Sequence, residues 1–138
     1  IRDAPSEYPR LIPKMSAFDI SFSIANLGEA ARRCEALLRE RWPDCLALFY
    51  GHLGDGNLHV VVHISDAPEG TDEAIDEVVY AMTRELRGAI SAEHGVGLKK
   101  RPYLGHTRST VDVRAMKAIK HALDAGGILN PGKLFADT

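Results

Sequence analysis

The sequence predicts an α+β domain, an antiparallel sheet with helices packed on one face. Three observations carry this. Two short β-rich runs are joined by a glycine-dense turn, an alternating apolar run precedes them, and segments with apolar residues at helical spacing separate and follow them. Internal repeats and low-complexity stretches are absent, so residues 1–138 read as a single domain with one core.

Taken in order, Pro5, Pro9 and Pro13 forbid a long helix in residues 1–15 and predict an extended lead-in. From Ser16 to Asn26, Phe18, Ile20, Phe22 and Ile24 alternate with Asp19, Ser21 and Ser23, a strand with one apolar face. Asn26 can cap a helix from Leu27 to Arg41, with Leu27, Ala30, Ala31, Cys34, Leu37 and Leu38 on its stripe and Pro43 beyond its end. Cys45–Tyr50 and Leu58–Ile64 form an antiparallel hairpin around GHLGDGN. Thr71 caps a helix that runs to about Ile90, with Asp72 and Glu73 in its first turn. Its apolar face is Ile75, Val78, Val79, Met82, Leu86 and Ala89. SAEHGVG (91–97) is a loop, and a last helix runs from about Thr110 to Ala125 and stops at Gly126-Gly127.

A net charge of −2 with scattered cations shows no electrostatic footprint for nucleic acid or anionic lipid. The densest cationic run, Lys99-Lys100-Arg101, reads as a solvated helix start. The longest apolar stretch is far short of the ~20 residues that cross a bilayer. Cys34 and Cys45 lie in neither a CxxC pair nor beside a histidine, which favours reduced structural thiols in an intracellular compartment: cytoplasm, or mitochondrial matrix in a eukaryote.

Chemistry-bearing residues gather where the backbone turns. His52 and His59 flank the GDGN turn, and a hairpin folds two such positions toward one metal. His63 shares the strand face of His59 but lies roughly 13 Å further along, a poor third ligand. Glu93 and His94, in the glycine-bracketed loop, are expected to point different ways, and a carboxylate from there completes two imidazoles plus one carboxylate, the open pattern of a catalytic metal. Singly, each residue also has a structural reading: a turn or core histidine, a turn aspartate at Asp55, turn glycines at Gly54, Gly56, Gly95 and Gly97. Their joint spacing and glycine density favour the metal site. A metal-dependent hydrolase and a non-catalytic binding module with structural histidines stay open as alternatives.

GHLGDGNLH (51–59), SAEHGVGLKK (91–100) and ILNPGKLF (128–135), in this order, resemble the signature segments of the C-terminal domain of FAD-linked oxidases of the vanillyl-alcohol oxidase type. The branch resembled holds D-lactate dehydrogenases, the glycolate oxidase flavoprotein subunit and D-2-hydroxyglutarate dehydrogenase. FDISFSI (18–24) also resembles that family's first strand in this domain. The resemblance implies a ferredoxin-like sheet with extra helices, including an additional C-terminal helical segment. It implies His52, His59 and Glu93 as ligands of a divalent metal (zinc, otherwise manganese or iron), and His94 as general base. It implies Asn130 and Lys133 in a segment facing the flavin, and Arg2 on the substrate carboxylate. Two positions depart from the pattern: Ala17 stands where a lysine is frequent, and Val61 where an asparagine is, so the identity of the substrate stays open.

The implied reaction is oxidation of a D-2-hydroxyacid to a 2-oxoacid, with hydride passing to FAD. No GxGxxG or other nucleotide cradle occurs in these residues, so FAD is expected on an upstream domain that the chain lacks. The partners expected are therefore a small 2-hydroxyacid, that FAD-binding domain and an unspecified electron acceptor. A second copy of the chain, as a homodimer, stays open.

Overall fold

The structure, a computed structural model, describes residues 4–12 and 14–135. Three strands, β1 (Ser16–Ser21), β2 (Leu46–Tyr50) and β3 (Asn57–His63), form an antiparallel sheet in the order β1-β3-β2. Helices α2 (Leu27–Arg41) and α3 (Thr71–Glu85) pack on one face of it. The core joins Phe18, Ile20, Leu58, Val60 and Val62 from that face to Ala30, Cys34 and Leu38 of α2 and Ile75, Val79 and Met82 of α3. This is the α+β layer expected from the alternating and helical patterns. Cys34 and Cys45 are free and buried, and burial pushes the Cys34 thiol up to about 12, which makes it an inert core residue. No helix among the described residues is long and apolar enough to cross a membrane.

The βαββα order is that of a ferredoxin-like unit whose last strand is reduced to a single bridge. After α3 the chain returns along the free edge of β1, where Ala89 and Ser21 exchange backbone hydrogen bonds at 2.8 and 3.0 Å. Beyond Ala89 the regular pairing gives way to one longer backbone bond, Ala92 N to Asp19 O at 3.3 Å, as the backbone of residues 92–94 turns toward the Asp19 side chain. α4 (Gly97–Lys100), α5 (Leu104–Thr107) and α6 (Thr110–Leu123) complete the C-terminal helical segment. Ser109 and Asp112 form a reciprocal capping box that starts α6.

Several local expectations change. The lead-in is not extended: α1 (Ala4–Leu11) is helical. Pro5 falls in its first turn, where no intrahelical N–H bond is lost, and Pro9 removes a single bond, so a helix of 8 residues survives. α3 ends at Glu85 rather than near Ile90, although Leu86 and Ala89 continue its period. Gly88 N donates to Thr83 O and Arg87 N to Arg84 O while Arg87 takes a left-handed φ of 55°, a Schellman stop. Gly70 stands at the start of α3, where Thr71 donates its hydroxyl to Pro68 O, and Asn26 makes no side-chain cap because a tight turn over Ile24–Asn26 already gives it helical dihedrals.

Gly56 closes the hairpin turn with φ of 72°, and its carbonyl accepts from Phe22 N at 2.9 Å. A Cβ there would run into Phe22 O, a backbone atom that cannot yield alone. Gly56→Ala is expected to destabilise the fold by about 2–4 kcal/mol, the left-handed penalty plus the overpacking. Urea unfolding of the variant checks this.

Candidate functional site

The sheet face turned away from α2 and α3 carries the candidate site. Register decides its membership. On β1 and β3, Asp19 stands opposite His59 and Ala17 opposite Val61; on β2 and β3, Tyr50 stands opposite His59. Because side chains alternate, the residues that place Phe18, Val60 and Phe49 in the core place Asp19, His59 and Tyr50 on the other face. The two departures from the family pattern, Ala17 and Val61, are thus cross-strand partners.

The GHLGDGN turn carries His52 back over β3, so that its ring meets His59 edge-on at 5.7 Å between centroids. Glu93 reaches the same point from the 91–97 loop, with Oε1 3.4 Å from His52 Nε2. One ligand atom from each of His52, His59 and Glu93 lies within 4.8 Å of the others. Four donors ~2.0–2.2 Å from a tetrahedral ion sit ~3.4 Å apart, the separation that His52 and Glu93 already have. Asn57, which is buried, donates Nδ2 at 2.7 Å to Glu93 Oε1, the same oxygen that approaches His52, and so fixes its position. Burial lowers the His59 pKa, and this outweighs the opposing pull of Asp19, so the ring is neutral, the state in which imidazole binds a metal. The donor set therefore fits a divalent cation.

His94 stacks on His59, with centroids 5.6 Å apart and planes at 20°. It is exposed, and its Nδ1 lies 3.9 Å from Asp19 Oδ2. Consecutive Glu93 and His94 diverge as their irregular backbone requires, Glu93 toward His52 and His94 over the His59 ring. His63, four residues along β3 on the same face, stays outside this cluster and pairs through Nδ1 with Lys14 O at 2.6 Å.

Two residues with no role in the sequence reading hold the loop in place. Asp19, treated there as a polar strand position, is 1% exposed. Its Oδ2 accepts from the backbone N–H groups of Ala92, Glu93 and His94 at 3.1, 2.9 and 2.9 Å. Burial acts to raise the Asp19 pKa, but those hydrogen bonds and the Lys100 charge prevail and hold it at about 2. Lys100 corrects the expectation of a solvated helix start. It is the last residue of α4, and it is buried and donates to Asp19 Oδ2, Asp19 O and Ser91 Oγ at 3.0–3.3 Å. Three adjacent cations gave no sign of which one the fold would turn inward. Its charge, in a strand whose other polar positions are serines, was the one available signal for Asp19.

The remaining expected residues lie elsewhere. Asn130 and Lys133 sit in an exposed turn closed by a 3.3 Å hydrogen bond from Lys133 N to Asn130 O, with Asn130 at φ of 48°. Arg101 anchors this turn by donating to Gly132 O. Arg2 lies outside the described residues.

Comparison with known proteins gives the family. The family described as FAD linked oxidases, C-terminal domain, matches residues 11–134. The chain is 38% identical over 123 residues to D-2-hydroxyglutarate dehydrogenase of Stutzerimonas stutzeri, covering 86% of the chain and 26% of that protein. It is 43% identical over 122 residues to the protein of the same name from Xanthomonas citri pv. viticola, covering 85% of the chain and 26% of that protein. Against the mitochondrial D-2-hydroxyglutarate dehydrogenase of Rattus norvegicus it is 49% identical over 84 residues, covering 61% of the chain and 16% of that protein. The chain thus spans about a quarter of the length of the bacterial relatives. With the match running from the end of α1 through the 130–133 turn, and so across every described element of the site, the chain belongs to the C-terminal domain family of FAD-linked oxidases.

Proposed function

We propose that this chain is the substrate- and metal-holding part of an FAD-dependent dehydrogenase that oxidises a D-2-hydroxyacid to the 2-oxoacid. The observation that carries the reading is the convergence of His52, His59 and Glu93 beside an exposed His94. The names of the relatives support it. His52, His59 and Glu93 would hold the cation, zinc by donor set with manganese or iron as alternatives. Bound there, the cation supplies Lewis acidity at the substrate hydroxyl, and FAD, held mainly by a further domain of the protein, supplies the hydride acceptor. His94 takes the hydroxyl proton, and the imidazolium so formed stands beside the Asp19 carboxylate, 3.9 Å from its Nδ1. The substrate thereby loses one proton to His94 and one hydride from its α-carbon, which balances the oxidation. Arg2 is assigned to the substrate carboxylate and the Asn130–Lys133 turn to the flavin side, the turn's exposure leaving it available for such a contact.

Anaerobic mixing of the complete protein with D-lactate or D-2-hydroxyglutarate tests this. One of these D-acids is expected to bleach the flavin and its L-enantiomer is not. Exhaustive chelation should abolish bleaching, and zinc or manganese should restore it. Bleaching at an unchanged rate after the metal is gone, or none with any 2-hydroxyacid, would overturn the proposal.

A further inference from the structure

Asp19 uses its two carboxylate oxygens unequally. Oδ2 accepts from three consecutive backbone N–H groups, from Lys100 Nζ at 3.3 Å and from Ser91 Oγ at 3.3 Å. Oδ1 is equally buried and accepts from nothing. A buried carboxylate oxygen without a donor is an unstable arrangement unless a donor is close at hand. The ring nitrogen that faces it is His59 Nδ1, at 3.8 Å, and closing that gap to hydrogen-bond length takes about 1 Å. His59 is the residue shared by both groups of potential ligands on this face, one with His52 and Glu93, the other with Asp19 and His94.

We infer that Asp19 is the positioning residue of the whole site: Oδ2 fixes the backbone that presents Glu93 and His94, and Oδ1 holds the proton of His59 on Nδ1. A neutral imidazole has one proton, so holding it on Nδ1 leaves the lone pair on Nε2. A carboxylate behind a histidine ligand sets tautomer and ring orientation together. Here one side chain would serve the β3 ligand and the loop ligand at once, because β1 lies between the edge along which the loop returns and β3. Lys100 balances the buried charge from the loop side and leaves Oδ1 directed at His59. Asp19 is better placed as this support than as a ligand, since its other oxygen is fully engaged by donors. The inference rests on the metal-site reading only for what Nε2 binds; the tautomer itself is a property of the metal-free protein.

The test follows the histidine ring nitrogens by ¹⁵N NMR in the complete protein at neutral pH, metal-free and then with zinc, and measures zinc affinity by competition with a chromogenic chelator. Metal-free His59 is expected as the Nδ1–H tautomer, and zinc should shift Nε2 while the Nδ1 proton stays. In Asp19→Asn the amide oxygen can take over the three backbone N–H groups, which turns its NH₂ toward His59. The tautomer should then switch to Nε2–H, and zinc affinity should fall by about 10–100-fold. A wild-type His59 protonated on Nε2, zinc bound through Nδ1, or an Asp19→Asn protein with unchanged tautomer and affinity would each overturn the inference. Should Asp19→Asn not fold, the wild-type tautomer decides alone. If wild-type protein binds no zinc yet shows the Nδ1–H tautomer, the role of Asp19 stands and the metal-site reading is what fails.

Discussion

His94→Ala in the complete protein is expected to slow flavin reduction by a D-2-hydroxyacid about 10²–10⁴-fold, the usual contribution of a positioned general base, with bound metal unchanged. The separation of the two effects comes from geometry. His94 is not among the three residues whose ligand atoms converge; it stacks on one of them. Its backbone N–H is tied to Asp19 at 2.9 Å, and that bond survives removal of the side chain, so the loop that carries Glu93 keeps its path. What is lost is the exposed imidazole beside His59. Flavin absorbance followed in a single turnover is the right measurement, because a coupled acceptor would let a later step hide the effect. If His94→Ala instead strips the metal, His94 is a ligand, drawn from the grouping it forms with Asp19 and His59.

Glu93→Gln is expected to weaken metal binding by more than the ~10–100-fold that loss of an outer-shell partner costs, since it removes a ligand charge directly. The substitution is nearly isosteric. A glutamine oxygen can still accept from Asn57 Nδ2, which donates to Glu93 at 2.7 Å, so the side chain need not move while its negative charge disappears. Flavin reduction should fall in step with metal content and recover in part with excess zinc. Metal content measured by atomic emission, beside the same turnover assay, separates the neighbours: Glu93→Gln loses metal first and rate in consequence, His94→Ala loses rate alone. The opposite pattern would exchange the roles of Glu93 and His94. Wild-type rates in both variants would make the constellation structural and the proposed mechanism wrong.

The sequence by itself determined the types of the central strands and helices and the approach of His52 to His59, because both follow from short-range pattern. Alternation at Phe18, Ile20 and Phe22 and helical spacing through α2 depend on backbone geometry that every strand and helix shares. The GHLGDGN turn brings His52 to His59 through one hairpin, and a hairpin is a local structure. Helix ends were less legible. The period of α3 continues through Ala89, but a hydrogen-bonded stop after Glu85 and the attraction of the free β1 edge ended it earlier.

Only the tertiary structure decided how the third candidate ligand arrives. Glu93 is 34 positions from His59, and what aims it is not its glycine-bracketed loop but Asp19, 74 positions away from it in sequence. Apart from its charge, nothing local distinguishes Asp19 from Ser21 or Ser23 as the polar half of an alternating strand. The difference arises when β1 pairs with β3 in the register that sets Asp19 against His59, while the chain after α3 passes the same edge. The same holds for Lys100 among three adjacent cations. Its charge is turned inward because a carboxylate already buried there, with three backbone donors on one oxygen, is held ionised and attracts a counter-charge across a poorly screened interior. Pairing register and buried charge balance are long-range quantities, set by where elements meet, and a linear pattern carries neither.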